Sequence, residues 1–301
     1  MPAMFVLIWS TGYIAAKFGM PHAPPLTFLS MRYALSLLLF ATWIVWSRPS
    51  WPRNLSQWGH LSVTGVLLQA GYLSGVWAAV RAGIGAGTVA LLVGLQPVLT
   101  AVWLSATARR GADGAAAARV TSRQWLGLGL GLVGLALVVW RKAGVGELTT
   151  FNLTLAVAAL LSITVGTLYQ KRHVQACDVR SANAVQLLAA LAVSLPLALL
   201  EPDRIDWHPE FIGAMLWSAG VLTLGGSSLY YLLVQKGAAT QVTSLMYLVP
   251  PCTATLAWLL FGEELSLLML TGMAVTAIGV ALVVRPPRQR PPIPVAEVPG
   301  A

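Results

Sequence analysis

The chain has 301 residues, of which 57% are apolar and only 10% charged, and its mean hydropathy is +0.73. Soluble domains carry about 25% charged residues, so this composition excludes an ordinary soluble globular protein. A net charge of +9 would favour nucleic-acid binding in a soluble protein. Here the basic residues lie between long apolar blocks, and no nucleic-acid partner is predicted.

Apolar blocks of roughly 20 residues follow one another along the chain, which is the length that spans a hydrocarbon core as a helix. Backbone polar groups in lipid must be paired within the segment, so blocks of this length indicate helices. The sequence therefore predicts an all-α membrane protein with ten transmembrane helices. The predicted spans are 4–19, 26–47, 58–80, 86–107, 124–141, 151–171, 181–200, 210–234, 239–261 and 266–284.

The connections and the tail give the predicted orientation. The connections are short apart from an Ala- and Arg-rich stretch at 108–123 and an acidic stretch at 201–209, and the Pro-rich tail at 285–301 is predicted to be disordered and cytoplasmic. With the N-terminus inside, 13 of the 19 Lys and Arg residues lie on the cytoplasmic side, five lie outside and Arg32 lies within a span. This bias predicts a multi-pass protein of the bacterial inner membrane with both termini in the cytoplasm.

The two halves of the chain share a weak internal similarity. When Lys17 is placed on Lys171, Gly12 falls on Gly166, and the match continues at nearly the same offset to a proline in the fourth span of each half. Five spans in a half is an odd number, so the second half must cross the membrane in the opposite direction, as in many secondary transporters. We predict two inverted five-helix repeats, at 1–142 and 151–284.

Polar side chains inside a span cost free energy unless they find a partner or face a water-filled cavity. Arg32 lies about two turns into its span, and its charge would attract a carboxylate or another anionic group. A structural bond to neighbouring carbonyls is the alternative. Its inverted counterpart is Gln186, so the predicted cavity is cationic toward the outer half and neutral toward the inner half. Amides and aromatic rings around such a cavity would suit a small amphipathic solute, although many Tyr and Trp residues near span ends belong to interfacial belts. The predicted substrate-binding residues are Trp9, Tyr13, Arg32, Gln69, Tyr72, Gln96, Thr164, Gln186, Tyr230 and Tyr247.

Five further residues are predicted to act in gating or in shaping the helices. Pro97 and Pro250 fall at corresponding mid-span points, where each would kink its helix and free carbonyls to line a cavity, with packing alone as the alternative. Lys17 lies near the outer end of its span, where extension to the interface is the alternative to a gating role. Glu263 and Glu264 form an acidic pair in an outer turn, for which proton coupling and simple solvation both stay open.

Other patterns argue against an enzyme or a cofactor. The GxGxxG stretch from Gly129 to Gly134 lies inside an apolar span, so it favours close helix packing over nucleotide binding. The two cysteines and four histidines are scattered, and their spacing predicts neither a disulfide framework nor a metal site. No nucleophile has an evident base at a useful spacing. No enzyme activity, cofactor or metal is predicted.

Two stretches in each half carry a more specific pattern: Trp9–Gly19 (WSTGYIAAKFG) and Pro25–Ala34 (PLTFLSMRYA), then Tyr247–Pro251 (YLVPP) and Phe261–Leu265 (FGEEL). In order and spacing they resemble the EamA-type transporters of the drug/metabolite transporter superfamily. The resemblance implies efflux of metabolites, often amino acids or related compounds, by alternating access. It also implies family-typical positions for Lys17, Arg32, Pro97, Pro250 and Glu263 or Glu264. One departure is Ala106–Arg110, which stands where the family usually has a Gly/Glu turn, so a symmetric role for that turn is not expected.

The sequence thus predicts a secondary transporter whose partners are a small-molecule substrate and the lipid bilayer. Proton coupling, exchange for a counter-substrate and uniport all stay open, as does the choice between monomer and dimer. The alternatives are a non-transporting membrane scaffold subunit and a membrane-embedded lipid-modifying enzyme. The enzyme would need a polar catalytic cluster at one interface, whereas a scaffold would tolerate loss of the polar groups in the cavity.

Overall fold

A computed structural model describes residues 2–96, 98–100, 102–103, 147–235 and 248–284, together with short pieces between 125 and 140. Every regular element in these residues is helical. Five helices are long and apolar enough to cross a membrane by length and composition, namely Pro25–Ser47, Leu55–Arg81, Thr150–His173, Val179–Ala198 and Pro209–Leu233. An all-helical protein with several membrane-spanning segments is therefore confirmed, and the number ten stays a prediction.

The longer helices are numbered here in chain order. The first four are α1 (Pro2–Gly19), α2 (Pro25–Ser47), α3 (Leu55–Arg81) and α4 (Ala86–Val93). The others are α5 (Thr150–His173), α6 (Val179–Ala198), α7 (from Pro209 to Gln235), α8 (Val249–Phe261) and α9 (Leu267–Val284). Most of the predicted span at 124–141, the start of the one at 239–261 and the tail at 285–301 lie outside the described residues.

Helices α3 and α7 each contain a π-helical segment, Val66–Gly71 in α3 and Ser218–Ser227 in α7. A π-helix shifts each hydrogen bond by one residue, and such segments occur frequently at functional sites. Buried hydroxyl groups bind carbonyls of both segments: Tyr33 donates to Gln69 at 2.6 Å, and Thr223 donates to Ser218 at 2.9 Å. Apolar periodicity gave no sign of either segment.

Two glycines let α3 pack closely against its neighbours. A Cβ on Gly65 would lie 2.5 Å from the Cα of Gln186 in α6, and a Cβ on Gly75 would lie 2.9 Å from the carbonyl oxygen of Leu155 in α5. Lipid tails are as apolar as the side chains, so association of helices in a membrane depends on close packing at small residues. The contacts at Gly65 and Gly75 join helices from the first and the second half of the sequence.

The connection between α6 and α7 covers the start of α2. The carboxylate of Glu201 accepts hydrogen bonds from the backbone N–H groups of Leu26 and Thr27, at 3.0 and 2.7 Å, and from the Thr27 hydroxyl at 2.7 Å. The first N–H groups of a helix have no partner within the helix. A carboxylate at this position also interacts favourably with the helix dipole.

We expect Glu201→Ala to lower the free energy of unfolding by about 1–2 kcal/mol, which is the size of a lost helix cap. The matched control is Asp203→Ala in the same connection, where an ion pair to Arg81 (2.6 Å) involves a side chain that is 57% exposed. Such a pair contributes about 0–1 kcal/mol. Unfolding of the purified protein in detergent measures both changes, and equal losses would contradict the capping role of Glu201.

Candidate functional site

A cavity is lined by side chains of α1, α2, α3, α5, α6 and α7. Its volume is about 60 Å³, well below the roughly 300–1,000 Å³ of pockets for larger ligands, so a larger solute requires the helices to move apart. The π-helical segments of α3 and α7 both contribute to its wall. The predicted substrate-binding residues that line it are Trp9, Tyr13, Arg32, Gln69, Tyr72, Gln186 and Tyr230.

Arg32 provides a buried positive charge in the cavity wall, since only 4% of the residue is exposed. Its Nε donates to the Thr223 hydroxyl at 3.1 Å, and its guanidinium group lies 5.9 Å from the centre of the Trp77 ring. Among the described residues, no carboxylate forms an ion pair with it. The acceptor of this hydrogen bond is a hydroxyl group. A buried cation without a counter-ion is costly to fold and is well placed to bind an anionic group.

Aromatic side chains form one wall of the cavity. The ring of Trp9 stacks on that of Tyr230, with the ring centres 5.3 Å apart. The hydroxyl groups of Tyr13 and Tyr72 share a hydrogen bond at 3.1 Å. These side chains combine apolar area with polar ends that fix their orientation, so the wall can contact an apolar or aromatic part of a solute.

Two of the predicted residues are not among those that line the cavity. Gln96 is not among the lining residues, and its Nε2 donates to Thr167 at 2.9 Å, whose hydroxyl in turn bonds the Tyr230 hydroxyl at 2.7 Å. Gln96 is therefore linked to Tyr230 by hydrogen bonds that include Thr167. Thr164 is buried but donates to the carbonyl of Leu160 in its own helix at 2.6 Å, so it too lies outside the cavity wall.

Amide side chains line the part of the cavity near the end of α5 and the start of α6. Gln170 and Gln186 are each 3% exposed, and their Nε2 groups have no hydrogen-bond partner among the described residues. Asn183 lies beside them in the wall. An unsatisfied buried donor costs about 1–3 kcal/mol, so a solute oxygen or water bound here would be stabilised. Sequence reasoning missed Gln170 and Asn183, although the same rule on polar residues within spans applies to both.

Lys17 and Glu263, both predicted gating residues, form an ion pair at 3.5 Å. Glu263 also accepts a hydrogen bond from the backbone N–H of Ala86 at the start of α4, at 3.1 Å. Glu264 is exposed in the same connection. Lys17 and Glu263 thus link the end of α1, the connection after α8 and the start of α4 at one end of the bundle.

Pro250 is the second residue of α8, where a proline interrupts no hydrogen bond within the described helix. The part of its predicted span before Leu248 lies outside the described residues, so a mid-span kink stays a prediction. The proline ring packs at Gly94, because a Cβ on that glycine would lie 2.8 Å from the Pro250 Cγ. Pro97 and Tyr247, the remaining predicted site residues, lie outside the described residues.

The connection after α1 is held by acidic groups of the α6–α7 connection and of α7. His22 Nδ1 lies 2.9 Å from a carboxylate oxygen of Asp206, and His22 Nε2 lies 3.4 Å from one of Glu210. The hydrogen bond to Asp206 raises the pKa of His22 above its usual value, because the carboxylate stabilises the charged ring. Arg81 joins the same region by donating to the carbonyl of Met20 at 2.6 Å.

Comparison with known proteins gives full-length relatives. An uncharacterized transporter of Archaeoglobus fulgidus is 24% identical and is matched over 93% of this chain and 94% of its own length. The uncharacterized transporter YvbV of Bacillus subtilis is 23% identical, over 93% of this chain and 89% of its own. A protein of Salmonella typhimurium named as a probable amino-acid metabolite efflux pump is 23% identical, over 92% and 91%.

A solved structure described only as "Crystal structure of protein" has the same fold, with a TM-score of 0.66 over 94% of this chain and 95% of that one at 17% identity. The EamA-like transporter family matches the chain twice, over residues 3–140 and 150–285. The resemblance carried by the motifs of the two halves is thereby confirmed. Because the two matches together cover nearly the whole sequence, the chain belongs to the EamA-like transporter family.

Proposed function

We propose that this protein is a secondary transporter that exports small amphipathic metabolites, amino acids or related compounds, across the bacterial inner membrane by alternating access. The central cavity carries the proposal, because helices of both family matches surround it with a buried cation, unbonded amides and stacked aromatic rings. A solute with a carboxylate and an apolar part would place its charge at Arg32 and its apolar part against Trp9 and Tyr230. The name of the Salmonella relative agrees with this substrate class.

Reciprocal contacts support an inverted repeat. A Cβ on Gly12 of α1 would lie 3.8 Å from Leu222 of α7, and a Cβ on Gly166 of α5 would lie 2.6 Å from Leu68 of α3. The number of residues from Gly12 to Gly166 equals the number from Leu68 to Leu222. Exchanging the two halves therefore converts one contact into the other, which is what a pseudo-twofold axis through the cavity produces.

The ends of the helices show the same reciprocity. At the start of α3, Gln57 Nε2 donates to the carbonyl of Gln175, which follows α5, at 2.9 Å. At the start of α7, Glu210 lies 3.4 Å from His22, which follows α1. The separation of Gln57 from Glu210 equals that of His22 from Gln175. In the predicted topology these two contacts lie at opposite faces of the membrane, as an axis in the membrane plane requires.

The proposal is tested with purified protein in proteoliposomes, by screening amino acids, their analogues and small amphipathic drugs for transport above that of protein-free vesicles. On the best substrate, Trp9→Ala should lower transport by up to about tenfold, since it removes a stacked ring worth about 0.5–1.5 kcal/mol. The matched control is Trp46→Ala on α2, where the native side chain is 90% exposed, and its transport should stay near the wild-type rate.

Transport of none of the solutes by well-folded protein, or equal effects of the two Trp substitutions, would contradict the proposal. The first outcome would favour the scaffold alternative, in which the polar groups of the cavity have no solute to bind.

A further inference from the structure

Two histidines from distant parts of the chain meet at one end of the bundle. His22 follows α1, whereas His208 and Glu210 lie at the start of α7, and ligand atoms of the three side chains lie within 4.8 Å of one another. The rings of His22 and His208 are stacked with their centres 4.6 Å apart. The histidines are scattered along the sequence, and the tertiary structure brings these two together.

One distance in this cluster matches the spacing of two ligand atoms on a metal ion. Zn²⁺ lies about 2.0–2.1 Å from a histidine nitrogen and about 2.0–2.2 Å from a carboxylate oxygen, with tetrahedral angles. Two such ligand atoms are therefore about 3.3 Å apart, and His22 Nε2 lies 3.4 Å from the Glu210 oxygen. Asp206 accepts from the other ring nitrogen of His22 at 2.9 Å. A carboxylate behind a histidine is the usual way in which metal-binding imidazoles are oriented.

We propose that His22, His208 and Glu210 form a binding site for a divalent transition metal ion of the Zn²⁺ type. Two imidazoles and one carboxylate suit such ions, whereas Mg²⁺ and Ca²⁺ prefer oxygen ligands alone. The nearly parallel rings require that His208 turn so that a nitrogen lone pair points at the ion, and its side chain is exposed. Water completes the tetrahedron.

A bound ion would connect the two halves of the chain that match the family. Residue 22 belongs to the first match, and residues 208 and 210 belong to the second. At the opposite end of the bundle, the corresponding contact joins Gln57 to Gln175, which offers amide groups that bind Zn²⁺ poorly. The ion would thus hold the two halves together at only one end of the helix bundle. If the protein transports by alternating access, as proposed above, Zn²⁺ on that side should inhibit transport by keeping this end closed.

Metal binding is measured on the full-length protein in detergent, by competition with a chromophoric Zn²⁺ chelator in mildly alkaline buffer. Mg²⁺ serves as the control ion that is not expected to bind. We expect His208→Ala and Glu210→Ala to weaken Zn²⁺ binding by about 100-fold and Asp206→Asn by about tenfold. His60→Ala is the matched control, because His60 also lies beside a second histidine. The ring centres of His60 and His173 are 5.3 Å apart. Unchanged affinity in His208→Ala, or an equal loss in His60→Ala, would overturn the site.

The transport arm is separate from the binding arm. Zn²⁺ should inhibit transport by the wild type and have no effect on His208→Ala, while both proteins transport equally in the presence of a chelator. Zn²⁺ that binds at the site without slowing transport would overturn the closing role. If the proposed function itself fails and no transport is found, the binding measurements still decide whether the metal site exists.

Discussion

Replacing Arg32 with Gln is expected to lower transport of carboxylate-bearing substrates about 100-fold and to leave the protein at least as stable as the wild type. Losing one partner of a buried charge pair costs about 2–5 kcal/mol of binding, and each 1.4 kcal/mol is a factor of ten. Stability should not fall, because Arg32 is 4% exposed and its described contacts are a hydroxyl and an aromatic ring. Burying a charge without a counter-ion costs free energy, so replacing that charge with a neutral amide should not destabilise the fold.

Transport in proteoliposomes and thermal unfolding in detergent measure the two expectations separately. Arg53→Gln on an exposed connection is the control for loss of one positive charge, and it should change neither quantity. A purely structural Arg32 would show the reverse pattern, with a lower unfolding temperature and with carboxylate-free and carboxylate-bearing substrates affected alike.

Gly65→Leu should prevent assembly of the folded bundle. Even the first side-chain atom would overlap the backbone carbonyl of Gln186 and lie 2.5 Å from its Cα. Backbone atoms cannot rotate away as a side chain can, so α3 and α6 must separate. Overpacking of this kind costs about 1–3 kcal/mol or more for a few added methylene groups, and here it would also displace Gln186 from the cavity wall. Gly65→Ala should destabilise the bundle in the same way but to a smaller extent.

Gly59→Ala is the matched control, since it lies in the same helix and a Cβ there meets no atom within 4 Å. Alanine is a better helix former than glycine by about 1 kcal/mol, so this variant should be as stable as the wild type or slightly more so. Size-exclusion profiles and unfolding temperatures in detergent measure all three variants. Monodisperse Gly65→Leu protein with an unchanged unfolding temperature would disprove the close crossing.

Several site residues could be predicted because a polar group within an apolar span is visible without coordinates. Arg32, Gln69 and Gln186 were found in this way, and all three line the cavity. The same rule cannot tell which face of a helix a residue occupies. Thr164 and Gln96 satisfy the rule equally well. However, Thr164 donates to a carbonyl of its own helix, and Gln96 is hydrogen-bonded through Thr167 to Tyr230.

The sequence by itself determined the class of the protein. Its low content of charged residues and its long apolar blocks suit only a lipid environment, and a backbone in lipid must be helical to satisfy its own hydrogen bonds. The order and spacing of a few motifs were enough to indicate the family, because both can be read along the chain without knowing which helices contact one another.

Only the tertiary structure decided which distant side chains meet. The contact of Gly65 with Gln186, the bond from Arg32 to Thr223 and the stacking of His22 on His208 each join residues far apart in sequence. Such pairs depend on how helices cross and rotate against one another, and crossing is set by the packing of small residues across several helices at once. No single helix contains that information, so the cavity and the histidine cluster emerge only when all the helices are assembled.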